Sequence, residues 1–306
     1  MTQATPQNLR AGIWLMIFTS AIFAAQDGIS RHLAETYNVW MVVTIRFWVF
    51  SAFVIALALR APGGIRAAAR TAFPRLQLAR GVILVFEICV MVFAFTKLGL
   101  IESHAVFTIY PLLVAALSGP ILGEKVGWRR WAAIGAGFVG VLIILQPGGG
   151  VLSVWALVPL AGAFLYAIYN LLTRYVAQGD SAGVSFFWTG VVCAAAITPF
   201  GLMHWQPMTG PDQALMAVLC CTAILGHYTL IRAYALAEAS AIQPFAYFQL
   251  VVVAVIGLLV FGETLRMNVA VGAGIVVAAG VFTLWRQRVR EKEALRRASA
   301  GSGGPD

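Results

Sequence analysis

The sequence predicts an all-α integral membrane protein: ten transmembrane helices in two inverted five-helix repeats. Three observations carry this expectation. The 306 residues are 60% hydrophobic and only 11% charged, whereas soluble chains carry about a quarter charged residues. The apolar residues gather in runs near the ~20 that a helix needs to cross a hydrocarbon core of ~30 Å. One block also repeats. Ala94-Phe95 precedes Gly123-Glu124 as Ala233-Tyr234 precedes Gly262-Glu263, at a constant offset of 139 positions (263 minus 124). An odd number of spans per half inserts the second copy the other way up, an arrangement common in secondary transporters.

The predicted spans of the first half are 9–30, 39–59, 79–95, 103–122 and 128–145. Those of the second are 152–175, 182–203, 213–235, 239–261 and 267–285. The first is too long for a signal-peptide core and has no cleavage pattern, so it is expected to be retained. Gly/Pro punctuation at Pro62-Gly63-Gly64, 147–150 and 207–211 separates several spans. The expected divisions are residues 1–147 (first repeat), 148–286 (second repeat) and 287–306. The last is a basic, then Gly/Ser-rich cytoplasmic tail, disordered or lying on the membrane surface.

Charge sets the orientation. With the N-terminus inside, seventeen of the 21 Lys and Arg residues fall in inner loops or the tail, among them Arg60, Arg66, Arg70, Arg75 and Arg80. Arg31, Lys97 and Arg266 fall outside and Arg46 within a span. This asymmetry predicts both termini in the cytoplasm of a bacterial-type inner membrane. It also accounts for the formal charge of +9 without nucleic acid, which would need a basic, aromatic soluble face. Membrane lipid and a small-molecule substrate are the expected partners; the oligomeric state stays open. Cys89, Cys193, Cys220 and Cys221 lie in apolar segments without paired spacing, so neither disulfides nor metal ligation is expected. No cofactor is expected.

Gly135-Ala136-Gly137-Phe138-Val139-Gly140 matches a dinucleotide fingerprint by letter, but no strand precedes it. Small residues at this spacing, and Gly272-Ala273-Gly274 in the last span, predict close helix packing. Glu124 and Glu263 each sit between two spans and are expected to face the positive end of the following helix dipole.

Ionisable groups inside spans carry more information, because each costs on the order of 3 kcal/mol at mid-membrane. Arg46 and Glu87 lie at similar depths, so a buried pair is geometrically allowed; a proton or substrate role is the alternative. Asp27 lies near the predicted outer end of span one, which also allows a helix-end role. Tyr166, Tyr169, Asn170 and Thr173 form one stripe on span six. His104 and Thr108 share a face on span four, as Gln243 and Tyr247 do on span nine, and the 139-position offset superposes these two pairs. Trp188, His227, Tyr228 and Gln249 add polar or aromatic groups. Each of these residues, taken alone, also fits interhelical hydrogen bonding; together they predict a polar cavity at the repeat interface. Tyr169→Ala is expected to impair transport more than folding. No HExxH, GxSxG or phosphate-loop pattern supports catalysis.

Leu-Gly-Glu at 122–124 and Phe-Gly-Glu at 261–263 close spans four and nine, and residues 39–47 hold an arginine in the second span. With the ten-span duplication, this pattern resembles the drug/metabolite transporter superfamily, EamA type, over essentially the whole chain before the tail. Pro111 departs from the internal symmetry, since Leu250 lies opposite it. The chain is most similar to the amino-acid exporter branch, including exporters of aromatic amino acids. The resemblance implies an inner-membrane secondary transporter that exports amino acids or similar small amphipathic metabolites by alternating access, and not an enzyme. The residues themselves leave open a drug, nucleotide-sugar or other metabolite carrier, an intramembrane enzyme and a structural anchor. They also leave open exchange, ion-driven pumping and facilitation, with Asp27, Glu87 or His104 as proton carriers.

Overall fold

The computed structural model describes residues 9–122, 128–145, 154–237, 242 and 245–301. These residues are helical throughout, with no strand among them. The helices are α1 (Leu9–Thr36), α2 (Val39–Arg60), the short α3 (Gly64–Ala69), α4 (Pro74–Leu98), α5 (Leu100–Phe107) and α6 (Tyr110–Leu122). They continue as α7 (Trp128–Leu145), α8 (Leu157–Val176), α9 (Ala182–Met203), α10 (Gly210–Leu236), α11 (Phe248–Leu259) and α12 (Met267–Gly301). Seven helical segments are long and apolar enough to cross a membrane: α1, α2, α4, the α5–α6 run over Leu100–Ile121, α8, α9 and α10. Shorter apolar helices cover Trp131–Ile144, Phe248–Leu259 and Met267–Phe282. The chain is a multi-pass membrane protein.

Local chemistry explains the boundaries. The Asn38 side chain accepts the Met41 amide at 2.8 Å and starts α2. Ser181 does the same for α9 through Val184 at 3.3 Å. Pro74 opens α4 in the first turn, where its missing N–H costs nothing.

Four features depart from the sequence reading. First, α1 runs to Thr36 rather than residue 30, because Arg31 bonds Glu35 one turn on, at 2.8 Å. Asp27 therefore lies about 13 Å from the helix end, not beside it. Second, span four is two helices. Pro111 has no N–H and its ring would collide with the Phe107 carbonyl in a continuous helix, so α5 stops at Phe107 and α6 restarts at Tyr110. Third, α4 begins at Pro74 rather than residue 79, which draws Arg80 from the predicted loop into the helix, where it is 0% exposed. Fourth, α12 continues to Gly301, so residues 286–301 are helical rather than a disordered tail. Arg, Glu, Ala and Leu dominate that stretch, and all favour the helix.

The main contacts of α1 are with α10 and α11, those of α2 with α9, and those of α4 with α8 and α9. The two parts of the sequence thus interdigitate around one hydrophobic core. To one side α7 packs along α12, where Gly140 and Gly272 meet. A Cβ on Gly140 would lie 2.7 Å from the Gly272 carbonyl oxygen, and one on Gly272 2.5 Å from that of Gly140. The glycines of the fingerprint-like run are therefore a packing surface.

Candidate functional site

A cavity with about 500 Å³ of empty space, counting its mouth, opens between α1, α2, α4, α5, α8, α10 and α11. That size lies within the range of small-molecule sites. Phe23, Phe95, Phe107 and Tyr166 supply aromatic wall. The polar lining is Gln26, Asp27, Arg46, Glu87, His104, His227 and Gln249.

Two polar groups divide this lining. In the first, the His104 Nε2 lies 3.0 Å from Asp27 Oδ2, and Gln249 Nε2 donates to the same oxygen at 2.9 Å. The His104 Nδ1 faces the Leu100 carbonyl one turn back at 3.0 Å, and its ring stacks on Phe95 at 4.9 Å. The helix break at Thr108 shapes this corner, since the Thr108 amide and hydroxyl both donate to the His104 carbonyl, at 2.9 and 2.5 Å.

In the second group, Arg46 Nη2 lies 3.3 Å from His227 Nε2. The predicted Arg46–Glu87 ion pair does not form among the described residues: both line the cavity, but the guanidinium turns to His227. Arg46 is 2% exposed, Glu87 4%, His227 3% and Gln26 4%. Gln26 Oε1, Arg46 Nε and His227 Nδ1 are buried without a hydrogen-bond partner. Buried orphan polar atoms are costly, about 1–3 kcal/mol each. Here they border open space where a ligand's polar atoms can reach them.

Seven of the sequence-selected residues thus meet in one cavity: Asp27, Arg46, Glu87, His104, Tyr166, His227 and Gln249. Others sit elsewhere. The Thr108 hydroxyl is spent on its own helix. Asn170 accepts from the Tyr234 hydroxyl at 2.8 Å and donates to the Tyr166 carbonyl at 2.7 Å. Trp188 donates to the Ala69 carbonyl at 3.2 Å. Tyr228 is 47% exposed and meets Phe186 edge-on. Tyr247 packs against Gly280 with its hydroxyl unpartnered. Gln243 and Glu124 lie outside the described residues. Phe23, Gln26, Phe95 and Phe107 were not singled out in the sequence, because their residue types are ordinary in any apolar span.

Tyr169 belongs to a separate buried cluster around Arg80. That guanidinium donates to Gln77 at 2.7 Å, the Ser185 carbonyl at 2.6 Å and Thr189 at 2.9 Å. It reaches the Tyr169 and Thr173 hydroxyls at 3.5 and 3.4 Å, and lies 5.5 Å from the Tyr169 ring centre. The cluster ties α4 to α8 and α9. Next to it, Asp180 accepts from Thr71, from the Ala72 amide at 2.8 Å and from Gln77 at 2.8 Å. Burial acts to raise the Asp180 carboxyl. The bonds from Thr71, Gln77 and Ala72, with the Arg80 charge, outweigh it and hold the group below the usual aspartate range.

At the opposite end, Glu263 binds Arg31 and accepts the Leu100 and Ile101 amides at 2.7 and 2.9 Å. It therefore caps α5, an earlier helix, and not the helix that follows it as the sequence reading had it. Arg266 pairs with Glu102 beside it.

Comparison with known proteins agrees with this architecture. Residues 10–146 match the EamA-like transporter family. A riboflavin transporter of Vibrio cholerae is 28% identical over 292 residues, covering 93% of this chain and 96% of the relative. An S-adenosylmethionine uptake transporter of Rickettsia prowazekii is 24% identical, covering 94% of this chain and 97% of the relative. A riboflavin transporter of Rhizobium johnstonii is 27% identical over 286 residues. A protein crystal structure superposes with a TM-score of 0.64 at 17% identity, covering 92% of this chain and 99% of that one, a likeness of fold. This chain is a membrane transporter that belongs, through residues 10–146, to the EamA-like transporter family.

Proposed function

We propose that the chain is a secondary transporter that carries a small organic metabolite with a flat aromatic or heteroaromatic part through the central cavity. The single observation that carries this reading is the lining itself. Aromatic walls stand beside three buried, unpartnered polar atoms, on Gln26, Arg46 and His227. Rings stack on such walls, while orphaned donors and acceptors favour polar ring substituents over a purely apolar solute. Riboflavin and S-adenosylmethionine, named for the relatives, both fit that description. Amino-acid export draws no specific support from those relatives, so a carrier of another metabolite is the better reading.

The cycle we infer is alternating access between two inverted five-helix halves, residues 1–147 and 148–286, with three shorter apolar helices completing ten spans. Helices from both halves line the cavity, as a site at a repeat interface requires. The seventeen inner Lys and Arg residues favour an inner-membrane protein with both termini cytoplasmic. The test is counterflow in liposomes loaded with riboflavin, S-adenosylmethionine or phenylalanine. Saturable exchange of one of the first two, in preference to phenylalanine, is expected. Exchange of phenylalanine alone would return the reading to amino acids, and inert liposomes across the whole panel would refute transport of this class.

A further inference from the structure

We propose that the Asp27–His104 pair is a proton site, and that solute and proton occupy it in alternation, making the protein a solute/proton antiporter. The inference rests on the transport reading above.

The starting point is a count of protons. Nδ1 of His104 faces a backbone carbonyl at 3.0 Å. A carbonyl only accepts, so Nδ1 carries hydrogen. Nε2 then faces a carboxylate oxygen at 3.0 Å. Without a further proton, a lone pair would point at that oxygen. The contact therefore holds one additional proton, on either the ring or the carboxyl group. The Gln249 amide donates to the same Asp27 oxygen and leaves the proton's place to His104. Imidazole is the side chain that ordinarily exchanges protons between pH 5 and 8.

The surroundings keep this proton from being an incidental one. The His104 side chain is 4% exposed and that of Asp27 16%, and both border the cavity. The titratable and charged groups that face the pair are Arg46 from α2, Glu87 from α4, Tyr166 from α8 and His227 from α10. On its own helix Asp27 has Arg31, which is bound to Glu263 and Glu35; α11 contributes the neutral Gln249. No described residue of α7 or α12 lines the cavity. Arg46 and Glu87 balance one another in charge. Protonated, the Asp27–His104 pair is neutral as a unit and satisfies its own hydrogen bonds, so it offers a solute nothing. Deprotonated, it presents the Nε2 lone pair and a carboxylate, two acceptors for the N–H or O–H donors of a ring substituent. Proton and solute therefore compete. The proton leaves to water on the side to which the cavity opens, the solute takes its place, and an inward proton gradient drives solute outward.

The experiment uses full-length protein with riboflavin and S-adenosylmethionine as probes. In weakly buffered detergent, saturating probe is expected to release about one proton per solute bound. Affinity is expected to fall about tenfold per pH unit on the acid side. In liposomes with an entrapped pH dye, downhill solute flux is expected to drive opposite proton flux. In Asp27→Asn, the amide donates to a neutral His104 and replaces the proton without an empty bond. Whatever its exchange rate, its proton-to-solute ratio is expected to be near zero, and its affinity independent of pH. Wild-type counterflow with no proton release, or Asp27→Asn with the wild-type ratio, overturns the proposal and leaves the transport reading standing. Absence of counterflow by the wild type with every probe overturns both. If Asp27→Asn does not fold, the wild-type proton release still decides.

Discussion

The Glu263 carboxylate reaches 163 positions back in the chain to accept the Leu100 amide at 2.7 Å. The close approach depends on Gly99, whose φ of +83° lies in the left-handed region and whose Cβ position is occupied by the Glu263 carboxylate. Gly99→Val is expected to be strained twice, in backbone and in contact, and to lower stability by about 2–3 kcal/mol. Glu263→Gln retains one acceptor but loses the Arg31 ion pair and the charge at the α5 N-terminus, at about 1–2 kcal/mol. Thermal unfolding in detergent measures both. An unchanged Gly99→Val melting temperature would refute the cap as a stabilising contact.

Arg80 makes its bonds wholly inside the protein, at 0% exposure. Arg80→Ala would leave Gln77, the Ser185 carbonyl and Thr189 short of donors, a loss of at least about 2 kcal/mol. Arg80→Lys keeps the charge but not the fork, and is expected to recover less than half of that. Tyr169→Ala, because it strips one wall from Arg80, is expected to lower melting temperature and transport together. Full stability with lost transport would instead place Tyr169 at the substrate.

Acid is expected to loosen the Asp180 link between the α8–α9 turn and the start of α4. Its folded carboxyl titrates below the ordinary aspartate value, so the unfolded chain takes up the proton first. The stabilisation is complete above the ordinary value, about pH 3.9, and is lost as pH falls through the lower folded value. The stability difference between wild type and Asp180→Ala is expected to be present at pH 7 and to shrink below about pH 4. A difference that did not change with pH would assign the role to packing.

Transport is expected to depend most on residues that border the cavity and bear little of the fold. Tyr166→Ala and Gln249→Leu are expected to reduce counterflow at least about tenfold, equivalent to ~1.4 kcal/mol. Tyr228→Ala is expected to have little effect, because that ring is 47% exposed at the periphery. Equal losses in all three would place the pathway elsewhere.

Much of the fold was legible because lipid imposes a length and a composition on every crossing segment. The apolar runs from 39 to 59 and 182 to 203 match α2 and α9 almost residue for residue. Boundaries set by charge were misread. Arg31 and Arg80 look like loop residues by hydropathy, yet Glu263 and the Gln77–Ser185–Thr189 shell admit them into helices. The site was half legible. In-span ionisable residues such as Asp27, Arg46 and Glu87 stand out because they are expensive. The helical stripe through Tyr166, Tyr169 and Asn170 could not reveal that only Tyr166 borders the cavity.

Composition and charge by themselves determined that this chain lives in a membrane as a bundle of apolar helices, because no other solvent accepts so much apolar surface. Which polar groups meet was decided only by tertiary structure. Hydrogen bonds inside a bundle join residues as distant as Asp27 and Gln249. Their partners are set by helix rotation and depth, which one-dimensional spacing does not encode across separate helices. The same holds for the choice of His227 over Glu87 by Arg46.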